Sequence, residues 1–106
     1  MNYLIDIDGT VGEDIPNEES HRFKDAYVYE GAVDWVNGLY EQGHTITFFT
    51  ARESKDYQVT FDWLTQNGFQ FHRLLMDKPR GGNYIWVDNH LVKGVLFQGS
   101  YERLKI

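Results

Sequence analysis

The hydrophobic pattern of this chain keeps changing period, and the changes divide it into short alternating segments. Met1 to Ile7 is a largely apolar run that reads as a first strand. In Gly31 to Gln42, Ala32, Val36, Leu39 and Tyr40 recur at three and four, a helical spacing that Gly43 ends as a C-cap. His44 to Phe49 is rich in β-branched and aromatic residues and predicts a second strand. Glu53 to Asn67 predicts a second helix with Tyr57, Phe61 and Leu64 on one face, closed by Asn67-Gly68. Phe69 to Met76 is a third strand, Tyr84 to Val87 a short apolar fourth and Gly94 to Phe97 a fifth, while Gly99 to Ile106 has room for a terminal turn of helix. Strands alternating with helices mean βαβ units and a mostly parallel sheet with right-handed crossovers.

One stretch breaks the alternation. Gly9 to Tyr29 has no period, and it carries Pro16 with the acids Glu13, Asp14, Glu18 and Glu19. A loop this long in a small domain is more often functional than idle, so residues 9–30 are expected to form a flap over the C-terminal end of the first strand.

The first strand carries the first chemical anomaly. In Tyr3-Leu4-Ile5-Asp6-Ile7-Asp8-Gly9-Thr10, two carboxylates stand two residues apart and therefore on one side of an extended segment. Paired acids there are costly unless a cation or hydrogen-bond donors compensate them. Polar groups also follow the later strands: Thr50 and Arg52, Lys78 and Arg80, Asp88 and Asn89. In a parallel sheet these loops share one edge, where open α/β sheets bind ligands. Each has an ordinary role available, since Thr50 suits an N-cap, Asp88-Asn89 an Asx turn, Lys78 a solvated surface and Trp86 the core. Together, carboxylates, a hydroxyl and a lysine make a phosphoryl-transfer set.

Composition narrows the class. The 106 residues suit one domain spanning 1–106, and 42% hydrophobic with 25% charged residues is globular composition. Ten basic against 16 acidic residues give a net charge of -6, which disfavours a broad nucleic-acid surface. Cysteine is absent, which excludes disulfides and thiolate metal sites and fits a cytoplasmic location. No apolar run reaches the length of a membrane helix, so no membrane partner is expected.

The four polar clusters carry a resemblance. Asp6-Ile7-Asp8-Gly9-Thr10 is similar to the first motif of the haloacid dehalogenase-like superfamily on its phosphatase side; Phe49-Thr50-Ala51-Arg52 resembles the second motif, Lys78-Pro79 the third and Val87-Asp88-Asn89 the fourth. The resemblance implies a three-layer, Rossmann-like α/β fold with a mostly parallel five-stranded sheet in order 3-2-1-4-5, a minimal flap and no cap domain. It implies a Mg2+-dependent phosphomonoesterase in which Asp6 is the nucleophile and Asp8 the general acid and base. Thr50, Lys78, Arg52 and Gly9 are then the substrate-binding candidates, with Thr50 and Lys78 also catalytic, and Asp6, Asp8, Asp88 and Asn89 the Mg2+ candidates.

Two departures stand out. Asn89 occupies a position where a second acid is common, and Pro79 to Asn83 leaves no room for the usual helix before the fourth motif. One flank of the sheet is then thinly covered, a flank that a homodimer or a packed C-terminus would protect. Without a cap the site is open to a phosphorylated small molecule or an exposed polymer end, with His21, Arg22, Lys24, Arg80 and His90 as further candidates for reading the leaving group. The competing readings are a catalytically silent phospho-ligand-binding domain and a phosphotransferase. A receiver domain is disfavoured because the third strand contains no Asp.

Overall fold

Three short strands, all parallel, set the frame: β1 (Asn2–Ile5), β2 (Thr45–Phe49) and β3 (Arg73–Leu75), in the order β1-β2-β3. The computed structural model describes residues 1–104 and 106. In register, Ile5 pairs with Phe48 and Phe48 with Leu74. Helix α1 (Ala32–Glu41) joins β1 to β2, and α2 (Tyr57–Gln66) joins β2 to β3. The strands advance in one direction across the sheet, so crossovers of one hand put both helices on one face. That face holds the core. Ile5, Ile46, Phe48 and Leu74 point into it and meet Val36 of α1 with Trp63 and Leu64 of α2 in one buried cluster. On the opposite face, Leu4 is 45% and Leu75 46% exposed.

Helix boundaries follow local chemistry. Gly31 starts α1 from a left-handed conformation, and Gly43, at φ 92°, takes the position after the helix that disfavours a side chain. A 3-10 turn at Ser54–Asp56 precedes α2, which shortens the helix expected from Glu53 onward. The buried face of α2 is Thr60, Trp63 and Leu64, while Tyr57 is exposed. Trp63 displaces Tyr57 from the inward face because its Nε1 donates to the Ala26 carbonyl at 2.9 Å, which fixes the helix rotation.

Residues 9–30 are neither strand nor α-helix. Short bridges join Asp8 to Gly12 and Gly12 to Val28, and a kinked 3-10 segment runs over Asn17–Asp25 with Phe23 fully buried. Gly12 lies so close to the Trp63 ring that an added Cβ would stand 2.8 Å from its Cη2. Asn17 Nδ2 donates to the Ala51 carbonyl at 3.0 Å, tying this segment to the loop after β2.

The five-stranded, three-layer sheet in order 3-2-1-4-5 is not what forms. Among the described residues only three strands pair, and β1 is an edge. Tyr84 to Val87 and Gly94 to Phe97, expected as the fourth and fifth strands, make no main-chain hydrogen bonds. Ile85, Val87 and Leu91 are 92%, 91% and 99% exposed, and Trp86, expected in the core, is 53% exposed. The physical reason lies in the connection. An ordinary parallel crossover takes about a dozen residues and a helix, and the link from β3 to Tyr84, Met76 to Asn83, has eight and no helix. The chain returns to the body at Phe97 and at the 3-10 turn Tyr101–Arg103, where Tyr101 stacks on Trp35 and its hydroxyl donates to the Thr10 carbonyl at 2.7 Å.

Candidate active site

The site forms where the chain leaves β1. Ile7 is fully buried, and its carbonyl accepts from the amides of Thr10 and Val11, so the backbone turns sharply just past Asp6. Gly9 makes the turn at φ 79°, a conformation that disfavours side chains. The turn leaves Asp6 and Asp8 at the mouth of a pocket of about 410 Å³, bordered also by Asp14, Asn17, Ala51, Arg52, Lys78 and Arg80.

Asp6 is held at both oxygens. Lys78 Nζ donates to Oδ1 at 2.9 Å and Thr10 Oγ1 donates to Oδ2 at 3.1 Å, yet the side chain stays 36% exposed. The lysine is aimed by its own turn. Asp77 adopts φ 63°, its amide donates to the Arg52 carbonyl at 2.8 Å, and the Lys78 amide donates to the Thr50 carbonyl at 2.9 Å. The Asp77 carboxylate also takes the Ser54 hydroxyl and amide, which clamps the loop after β3 onto the loop after β2. A non-glycine residue at positive φ is a local strain, held here by these four bonds.

Asp8 has a different partner. Arg52 Nε and Nη2 donate to its two oxygens at 2.9 and 2.8 Å, a bidentate pair. The guanidinium is 1% exposed, lies 3.8 Å over the Phe23 ring and donates through Nη1 to Thr60 Oγ1 at 3.1 Å. Arg52 therefore positions Asp8 from below. Thr50 is fully buried, and its hydroxyl accepts from the Arg52 amide at 3.1 Å, so it shapes the same loop from beneath the pocket.

Other residues singled out in the sequence lie elsewhere. Arg80 borders the pocket but pairs with Glu18 at 3.0 Å with both side chains well exposed, a contact of small energetic weight. Arg22 pairs with Glu13 and Glu19, and His21 and Lys24 are exposed on the 3-10 segment. Asp88, Asn89 and His90 are exposed and stand outside the pocket; the Asp88 carboxylate takes the Trp86 Nε1 and the His90 amide, and the Trp86 bond leads in holding its pKa below the usual carboxylate value.

This bears on the metal. The set expected for Mg2+ does not assemble within one copy: Asp6 and Asp8 line the pocket, with Lys78, Thr10 and Arg52 on their oxygens, and Asp88 and Asn89 do not reach it. Among the described residues, no group of three His, Asp or Glu side chains is arranged to hold a metal ion. Three participants are added by the structure. Thr10 and Asp77 act on Asp6 and Lys78, and Asp14 packs against Gly9 at the pocket rim. Thr10 sits in the first motif and could have been read from it, whereas Asp14 and Asp77 carry no periodic or motif signal.

A parallel α/β domain with acids and a lysine at the carboxyl edge of its sheet is the architecture of the haloacid dehalogenase-like superfamily. The family described as PITM 1-3, LNS2 domain matches residues 3–93, so the chain belongs to that family, a phosphatase-like branch of the superfamily. Among curated proteins none matches. Among solved structures, a structural-genomics target from Vibrio cholerae is similar in fold, at 17% identity and TM-score 0.62, covering 87% of this chain and 82% of that one. Two structures of the Pnkp1/Rnl/Hen1 RNA repair complex are similar at 19% and 18% identity with TM-scores of 0.62 and 0.63, covering 74% and 78% of this chain. This chain spans only 26% and 30% of those longer chains. Among the described residues no helix is long and apolar enough to cross a membrane.

Proposed function

We propose that the chain is a cap-less phosphomonoesterase working through an aspartyl-phosphate on Asp6. The observation that carries this reading is the Asp6 carboxylate itself: exposed at a pocket mouth, at the carboxyl edge of the sheet, with Lys78 2.9 Å away. The lysine offsets charge between the carboxylate and an incoming phosphate, and the open pocket admits an ester with a bulky leaving group. An Asp6 oxygen attacks phosphorus, the P–O bond to the leaving oxygen breaks, and that oxygen takes a proton from Asp8. Water then attacks the aspartyl-phosphate, passing a proton to Asp8 and freeing inorganic phosphate and Asp6. Arg52 holds Asp8 in place and must yield one of its two bonds while Asp8 carries the proton.

That last requirement favours a second reading, a domain of the same fold that binds a phosphorylated ligand without turnover. Both Asp8 oxygens are taken by a buried arginine, which suits a fixed structural acid as well as a proton carrier. A panel of nucleotides, sugar phosphates, phosphopeptides and polynucleotide ends, assayed with Mg2+ for released phosphate, separates the two. The esterase reading expects turnover of at least one class and its loss by 10³-fold or more in Asp6→Asn, since the nucleophile is gone. Ligand binding without phosphate release supports the second reading, and full activity in Asp6→Asn overturns the first.

A further inference from the structure

Three cations border the pocket in front of Asp6, and two of them are already committed. Lys78 bonds Asp6, where it meets the phosphoryl group that is transferred. Arg52 is 1% exposed and donates from all three of its side-chain nitrogens to Asp8 and Thr60. Arg80 differs from both. Its side chain is 58% exposed, and its partner Glu18 does not line the pocket but belongs to the 3-10 segment Asn17–Asp25.

The Arg80–Glu18 pair is built to be exchanged. Both side chains are more than half exposed, so water and salt screen the contact. A phosphate brings more charge than a carboxylate, and a guanidinium forks onto it with two parallel bonds. The chain after Arg80 leaves room for that change of partner. Gly81 and Gly82 both line the pocket at φ 101° and 71°, and nothing stands within 4 Å of where a side chain would begin on either.

Next along the same loop comes an aromatic wall. Tyr84 lines the pocket at 53% exposure, with its ring centroid 5.6 Å from Lys78 Nζ and its hydroxyl donating to the Pro79 carbonyl. One short loop thus presents a cation at the nucleophile, a second cation two residues on, and a flat apolar face. Two residues of chain span at most about 7 Å, so both cations serve groups carried by one small molecule.

We propose that Arg80 is a specificity-determining residue that binds a second phosphate on the leaving group, so that the site takes bisphosphorylated esters in preference to monophosphates. On binding, the guanidinium passes from Glu18 to that phosphate, and Tyr84 packs on the ring that joins the two phosphates. Glu18 is the competitor that holds the arginine when no such substrate is present. The effect on turnover rests on the esterase reading; the preference in binding does not.

Two pairs of compounds read the preference: adenosine bisphosphate against adenosine monophosphate, and fructose bisphosphate against fructose monophosphate, each assayed with Mg2+ for released phosphate. In at least one pair kcat/KM is expected to favour the bisphosphate about tenfold or more, and Arg80→Gln to remove that preference. Glu18→Gln, which releases the arginine, should raise the preference about two- to fivefold. The opposite signs matter. If the ion pair only ties the 3-10 segment to the loop after β3, breaking it from either side gives the same result. The pair of compounds that shows the preference tells whether a nucleoside or a sugar joins the phosphates. A preference that persists in Arg80→Gln, equal effects of the two variants, or no preference in the wild type overturns the proposal. If the wild type releases phosphate from none of the four, the esterase reading fails for them. Calorimetric binding of the same four compounds to the wild type and both variants then decides the proposal, by the same ratio taken in affinities.

Discussion

At the scale of single residues, the two acids of the first motif are held by different chemistry. Asp6 faces the pocket with a lysine and a hydroxyl, and Asp8 is locked to a buried guanidinium. The gathering of Asp6, Asp8 and Lys78 was legible in the sequence because loops after parallel strands must share an edge. The aim of Arg52 was not, because its direction depends on the Phe23 ring and Thr60, neither of which a strand–loop pattern connects to it. This makes Arg52 a sensitive position. Arg52→Met leaves Asp8 partly buried without its fork and should cost about 3 kcal/mol of stability in urea unfolding. Arg52→Lys keeps the charge but not the planar pair, so it should lose less stability while turnover falls tenfold or more. Equal turnover in Arg52→Lys and wild type would show that the orientation of Asp8 does not matter to the reaction.

At the scale of elements, the first helix and the first two strands form within one or two residues of their expected bounds, whereas α2 starts four residues late at Tyr57 and the third strand shrinks from Phe69–Met76 to Arg73–Leu75. The sequence was least informative where tertiary contacts decide. The α2 face turned toward Trp63 because of one indole hydrogen bond, and the flap took 3-10 turns around Phe23. The C-terminal turn depends on Tyr101, whose pKa is pushed up to about 12, first by burial and then by the neighbouring Tyr29. A raised phenol favours its neutral form in the folded state. The stabilisation is therefore complete below the ordinary value of 10.0 and lost as pH rises through about 12. Denaturant midpoints measured across that alkaline window should fall for the wild type and change less for Tyr101→Phe, which starts lower because the bond to Thr10 is gone. Parallel pH profiles for the two proteins would remove Tyr101 from the account.

At the scale of the whole molecule, the disagreement between a five-strand pattern and a three-strand sheet has a single origin. Tyr84–Val87 has the composition of a buried strand, so periodicity alone assigns it to the sheet, but periodicity does not see the connection. From β3 to Tyr84 the chain has only Met76 to Asn83, eight residues with no room for a crossover helix, and among the described residues Tyr84–Val87 stays outside the ladder. An exposed segment contributes little to the folding equilibrium, so Val87→Pro should change the free energy of urea unfolding by about 0.5 kcal/mol or less. A loss of about 2 kcal/mol or more in the same measurement would mean that Val87 donates to the sheet and that the segment belongs to the folded core.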